Sequence, residues 1–163
     1  KNKVTEAADL IKALMEEYCV PLGNVIVDDD GVGGGVTDIL ECHGFVNNSA
    51  PVEVEGQKEN FVNLKAQCSY KLAAKVKADE MYIDCDDGDI QDFIKEELGQ
   101  IKQKDMDKDG KKAIIPKELV KEFIGRSPDY SDMIMMRMWF TLVPEPWETV
   151  VFFGNPPEEE NNY

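Results

Sequence analysis

Apolar residues recur at helical spacing from the start of the chain. Over residues 4–18, Ala7, Leu10, Ile11, Leu14 and Met15 share one face, which predicts an amphipathic helix. Thr5 is placed to cap its start, and Pro21 and Gly23 close it. The period then changes. Val25, Ile26 and Val27 form an unbroken β-branched run of the kind found in buried parallel strands. Asp28, Asp29 and Asp30 end that run, residues 31–35 supply a glycine turn, and residues 36–43 begin a second helix with Val36, Ile39 and Leu40 inward. Residues 45–47 and 52–54 read as short strands. Residues 59–77 carry the strongest helical pattern, with Phe61, Leu64, Cys68, Leu72 and Val76 in one stripe. Residues 81–83 are extended and 90–98 form another amphipathic helix. Residues 99–115 predict a β-hairpin, its arms 99–104 and 111–115 joined by a polar turn. Ser127 as N-cap and Pro128 in the first helical position open a methionine-rich helix over 130–142. Helices alternating with short strands define an α/β domain, assigned to residues 1–143.

Composition changes the picture in one respect. The length of 163 residues suits one domain, and a hydrophobic content of 42% is ordinary, but the net charge is −15. Surplus acid opposes binding to phosphate backbones, unless carboxylates gather to hold divalent cations that reverse the local charge. Residues 144–163 hold Glu145, Glu148, Glu158, Glu159 and Glu160 without a Lys or Arg, so they read as an acidic extension, with 149–153 as a candidate edge strand. Cys19, Cys42, Cys68 and Cys85 form no CxxC pair and are expected to be reduced. His43, the single histidine, leaves no ligand spacing for zinc and reads as a helix-end residue. No stretch reads as a signal peptide or a membrane span.

Candidate chemistry follows from the acids. In open α/β sheets ligands bind outside the carboxyl ends of strands, which is where Asp28 stands. Alternation along the strand sends Asp29 to the opposite side. The glycines permit positive φ and a close approach of other backbone. The same glycines could cradle a phosphate, but they lack the Gly-Lys-Ser/Thr of a P-loop and the spacing of a dinucleotide fingerprint. A turn with solvated aspartates fits the spacing equally well. Asp129 and Asp132, three apart, share a face at a helix start. Compensation of the helix dipole explains them too. Together with Asp28 they make two acidic points suited to Mg²⁺ or Mn²⁺. Asp105, Asp107 and Asp109 imitate a calcium loop, but position twelve is Pro116 in place of the bidentate glutamate. Met133, Met135, Met136 and Met138 read as core packing.

Three motifs occur in order: VIVDDDGVGGGVTDIL at 25–40, NLKAQCSYKL at 63–72 and GRSPDYSDMIMM at 125–136. Together they resemble the C-terminal nuclease domain of the large terminase subunit of tailed bacteriophages, over residues 4–142. Ile114–Lys117, a strand followed by a lysine ahead of GRSPD, fits the same order. The resemblance implies a ribonuclease H-like fold, a mixed central sheet flanked by helices. It also implies endonucleolytic cleavage of concatemeric double-stranded phage DNA by a two-metal mechanism with Mg²⁺ or Mn²⁺. It carries the catalytic role to Asp28 and Asp129, and the metal-ligand role to Asp28, Asp129 and Asp132. Lys65, Lys71, Lys102, Lys104 and Arg126 become candidates for the DNA backbone. The terminase small subunit and the portal protein are implied as partners, and the host bacterial cytoplasm as the location. The family's first aspartate lies on a strand ahead of the helix that begins here near Thr5, and this sequence has no such strand. The expectation is therefore a carboxy-terminal fragment, inactive or weak as a nuclease on its own. Two alternatives stand beside it: a non-catalytic ribonuclease H-like scaffold of the packaging machinery, and a nucleotide-binding domain using GVGGG.

Overall fold

The computed structural model describes residues 3–31, 33–104 and 110–143. The expected hairpin turn at 105–109 and the acidic extension at 144–163, with its candidate strand 149–153, lie outside them. The first helix, α1 (Lys3–Glu17), leads through a short 3₁₀ turn, Leu22–Asn24, into β1 (Ile26–Asp28). Helix α2 (Gly33–Leu40) returns the chain to β2 (His43–Phe45), which lies parallel to β1 with Ile26 opposite His43 and Asp28 opposite Phe45. This is a parallel crossover, with α2 packed against α1 through Ala8, Val36 and Leu40. The second helix starts three residues earlier than the hydrophobic pattern suggests, inside the glycines. His43 belongs to a strand and not to a helix end, because Leu40 is the last helical residue.

The longest of the later helices, α3 (Leu64–Lys77), begins where Asn63 Oδ1 accepts the Ala66 N–H at 2.9 Å. Residues 59–63 therefore stay outside the helix expected there, and Glu59 serves the loop instead. Gln67, fully buried, exchanges hydrogen bonds with the Val52 backbone and donates to Glu59 Oε2 at 2.8 Å. Lys71 pairs with the other Glu59 oxygen at 2.8 Å. Residues 52–54 contribute one bridge, Val54 with Gln57, where a strand was expected.

Burial alone would raise the Glu59 pKa, but the bonds from Gln67 and Lys71 and the charges of Lys71 and Lys112 outweigh it and lower it. A carboxylate depressed in the folded state stabilises it above its unfolded pKa, near 4.3, and loses that contribution as pH falls through the folded value. Glu59→Gln is therefore expected to lower the urea midpoint at pH 7, with the gap to wild type closing on acidification below pH 4. Equal midpoints at pH 7 would remove this role.

Asp87 caps α4 (Gly88–Gln100) by accepting the Asp89 and Ile90 N–H groups. The chain then forms β3 (Gln103–Lys104) and β4 (Ala113–Ile114), an antiparallel pair. The hairpin is shorter than 99–115 because residues 99 and 100 complete α4. Helix α5 (Lys117–Ile124), not assigned from the sequence although Leu119, Val120, Phe123 and Ile124 share one face between Pro116 and Gly125, ends at Gly125 with φ +72°. The methionine-rich segment divides into α6 (Asp129–Met136) and α7 (Trp139–Leu142). Between them the backbone tightens to i→i+3 bonds, such as Met138 N–H to the Met135 carbonyl at 3.0 Å.

The main core joins Phe45, Leu64, Cys68, Leu72, Ile94, Met135 and Met138, so β2, α3, α4 and α6 share one apolar centre. Burial pushes the Cys68 thiol up to about 12, in keeping with a reduced packing cysteine. The four cysteines are unpaired. The described residues are thus mixed α/β, as expected. Their strands form two separate pairs, one parallel and one antiparallel, in place of a single central sheet. Among them no helix is long and apolar enough to cross a membrane.

Candidate functional site

The end of β1 is set by glycines. A Cβ on Gly33 would land on the Asp28 carbonyl oxygen, so only glycine lets the first turn of α2 sit directly on the strand end. Asp29 turns the other way, its carboxylate wedged against Gly34 and Gly44. A Cβ on Gly44 would lie 2.8 Å from Asp29 Oδ2. Asp29 Oδ1 is buried and has no hydrogen-bond partner among the described residues.

Asp28 faces the other side with Asp30, and Asn47 ties the two together. Asp28 Oδ1 accepts the Asn47 side-chain amide at 3.3 Å and the Asp30 N–H at 3.2 Å. Asp30 Oδ2 accepts the Asn47 side chain at 2.7 Å and its backbone N–H at 3.0 Å. Asn47, two residues past β2, thus orients the acids at the end of β1.

Asp132, on the first turn of α6, is held between two lysines. Lys65 of α3 reaches its Oδ1 at 2.8 Å and Lys117, the first residue of α5, its Oδ2 at 2.5 Å. Asp129 is 3.9 Å from Lys117, with 78% of its side chain exposed against 18% for Asp132. The Ser127 hydroxyl donates to Asp129 at 2.6 Å, and Pro128 takes the cap position expected of Ser127. Burial alone would lower the Lys117 pKa. The hydrogen bond and charge of Asp132, joined by the charges of Asp129 and Asp28, outweigh it and raise it. The α6 carboxylates thus pair with the Lys117 ammonium, and Asp28 at the end of β1 adds a weaker attraction through space. A cavity of about 420 Å³ opens beside it, lined by Asp30, Asn47, Asn63, Lys65, Lys117 and Asp132.

The donor set suits a hard cation. Carboxylate and amide oxygens such as those of Asp28, Asp30, Asp132 and Asn47 are the ligand types that Mg²⁺ and Mn²⁺ prefer, and the Lys117 ammonium pairs with Asp132 beside the same cavity. Among the described residues no three His, Cys, Asp or Glu side chains are grouped to hold a metal ion. Both Asp132 oxygens are engaged by lysines. An ion at this point would have to take Asp132 from Lys65 and Lys117, and the described residues do not group the ligands of two ions.

The candidate DNA contacts are scattered. Lys65 lines the cavity, whereas Lys71 is committed to Glu59. Lys102 bonds Gln100 at 3.2 Å, and with Lys104 stands exposed at the hairpin. Arg126 lies against α4, paired with Glu96 and Glu97 and with its guanidinium carbon 4.3 Å from the Phe93 ring centre. Sequence reasoning missed Asn47 altogether and gave Lys117 no role. An asparagine at a strand end carries no spacing signal, and Lys117, noted in the sequence only for its place ahead of GRSPD, gains a role from the acids it pairs with in space.

No protein-family model matches the chain, and no curated protein matches it. Among solved structures it is similar to nuclease domains of the large terminase subunit gp2 of bacterial virus Sf6. A lysine-to-alanine mutant of that domain with manganese and beta-thujaplicinol superposes with a TM-score of 0.64 at 23% identity, over 82% of this chain and 71% of the other. The same mutant with manganese gives 0.64 at 22% identity, over 80% and 71%. A further structure of the nuclease domain gives 0.62 at 23% identity, over 80% and 70%. At this level of identity the likeness establishes the fold, which is that of a terminase nuclease domain.

Proposed function

We propose that this chain is the DNA-cutting module of a phage packaging terminase, acting on double-stranded DNA at the cavity between Asp30 and Asp132. The observation that carries this reading is the cavity that brings Asp30 and Asn47, from the ends of β1 and β2, together with Asp132, Lys65 and Lys117. Asp28 is tied to Asp30 there through Asn47. The nuclease fold supports it, as does the manganese in two of the similar structures. Asp28 and Asp132 would hold a divalent ion, which supplies an acidified water and a counter-charge for a phosphodiester. Asn47 keeps Asp28 and Asp30 in place. Lys65 and Lys117, released from Asp132, would grip the DNA phosphate. Asp132 is the principal carboxylate of α6, with Asp129 as an exposed neighbour. The small subunit and portal protein remain the partners that the resemblance suggests.

Cleavage by this chain alone is expected to be weak, since Asp28 and Asp132 serve one ion where the two-metal reaction needs two. The same shortage supports a second reading, a non-catalytic scaffold with a nuclease fold. Calorimetric titration with Mn²⁺ tests the proposal. Wild type is expected to bind a single equivalent in the millimolar range or tighter, Asp28→Asn to lose it, and Lys117→Met to bind more tightly because the competing ammonium is gone. No heat from wild type at millimolar Mn²⁺ would overturn the metal site. Binding with no plasmid nicking at saturating Mn²⁺ would select the scaffold.

A further inference from the structure

Glu97 is a buried carboxylate that the proposed chemistry does not use. It lies on α4, is 0% exposed, and divides its two oxygens between different partners. Oε2 accepts the Ser131 N–H at 2.7 Å, while Oε1 meets the Arg126 guanidinium. Arg126 is held in turn by Glu96 at 2.8 Å. Ser131 is the third residue of α6, a position whose N–H has no partner within the helix. A side chain at the cap normally satisfies such a group, but the cap here is Pro128, whose side chain has no acceptor to offer. Glu97 performs that task from the neighbouring helix and places a negative charge at the positive end of α6.

The consequence lies one residue further on. The Ser131 N–H points along the axis toward the start of α6, so the Glu97 carboxylate pins that start against α4. Asp132, the next residue, is thereby held where it meets Lys65 and Lys117. We propose that Glu97 is a positioning residue, whose bond to the Ser131 N–H anchors the first turn of α6 on α4 and thereby holds Asp132 at its two lysines. Its meaning for function rests on Asp132 being a site carboxylate, as proposed above. The positioning itself does not depend on that reading and can be tested without metal or DNA.

The test is a double-mutant cycle between Asp132 and Lys65, using Asp132→Asn, Lys65→Met and the pair. Urea unfolding of the full chain is followed in wild-type, Glu97→Ala and Glu97→Gln backgrounds. A residue that only adds stability lowers every corner of the cycle equally and leaves the coupling intact. A residue that positions Asp132 abolishes the coupling when its acceptor is removed. The expected result is coupling in wild type, none in Glu97→Ala, and coupling retained in Glu97→Gln, whose amide oxygen can still accept the Ser131 N–H. Undiminished coupling in Glu97→Ala overturns the proposal. Should that variant not fold, Glu97→Gln decides together with hydrogen exchange at Ser131. Coupling and amide protection kept together, or lost together, support the proposal, and either one kept without the other overturns it. A Mn²⁺ titration that failed while this cycle behaved as expected would reject the metal site and leave the positioning role standing.

Discussion

Asp132→Asn is expected to destabilise the fold by about 2 kcal/mol and to abolish Mn²⁺ binding, while strengthening binding to duplex DNA at low salt. The three effects share one cause. Asp132 neutralises Lys65 and Lys117 at 2.8 Å and 2.5 Å in a setting where its own side chain is only 18% exposed. Removing one partner of a buried pair costs about 3–5 kcal/mol because the other charge is stranded, and the partial exposure of both lysines reduces that figure. Disturbing the residues that merely support metal ligands already costs about 10–100-fold in affinity, so loss of a ligand costs at least as much. The two released ammoniums make the cavity wall cationic, and phosphate binding follows the number of available cations. Asp129→Asn is the matched control: with its side chain largely in water, it should shift stability by no more than about 0.5 kcal/mol. Urea unfolding, calorimetry and a filter-binding assay measure the three effects. A DNA affinity that falls in Asp132→Asn would show that the lysines do not face the DNA.

The contrast between Asp129 and Asp132 marks how far sequence reasoning reaches. Both carboxylates were legible as a pair at a helix start, because three-residue spacing and the preceding proline are local signals. Their division of labour was not, since it depends on Lys65 from another helix and Lys117 from a third, which meet Asp132 only in space. Helix α5 has eight residues and buries only Val120, leaving Phe123 and Leu119 substantially exposed. Its apolar face, Leu119, Val120, Phe123 and Ile124 between Pro116 and Gly125, was a legible signal, but eight residues are too few to stand out beside the longer helices. The period change from α1 to β1 was legible for the opposite reason: α1 presents a repeated apolar face, and β1 follows as a compact β-branched run. The methionine-rich segment was read as one helix because periodicity cannot register the tightened turn at Met138. Arg126 was read as a cation for DNA because phosphate contacts need only well-placed cations, whereas in the fold Glu96 and Glu97 already hold it.

Gly33→Ala should be among the most damaging single-methyl additions in the molecule, costing about 3 kcal/mol and weakening the acidic site without touching any acid. The GVGGG segment reads locally as a turn, because glycine disfavours helices. In the structure α2 begins within it, at Gly33. The added methyl would fall on the Asp28 carbonyl oxygen, which is backbone and cannot rotate aside as a flexible side chain would. Overpacking of this kind typically costs about 1–3 kcal/mol, and the upper end applies where backbone must yield. Either α2 lifts off the strand, opening the contact with α1 at Ala8 and Val36, or the end of β1 is displaced. The second route moves the Asp28 carboxylate away from Asn47, so the Mn²⁺ affinity of the surviving folded protein should fall as well. Gly31→Ala separates conformation from contact: Gly31 has φ +91° and open space around its Cβ position, so its cost is backbone strain alone. A Gly33→Ala protein that melts like wild type and binds Mn²⁺ unchanged would show that the close approach of α2 to β1 is not what holds Asp28 at the site.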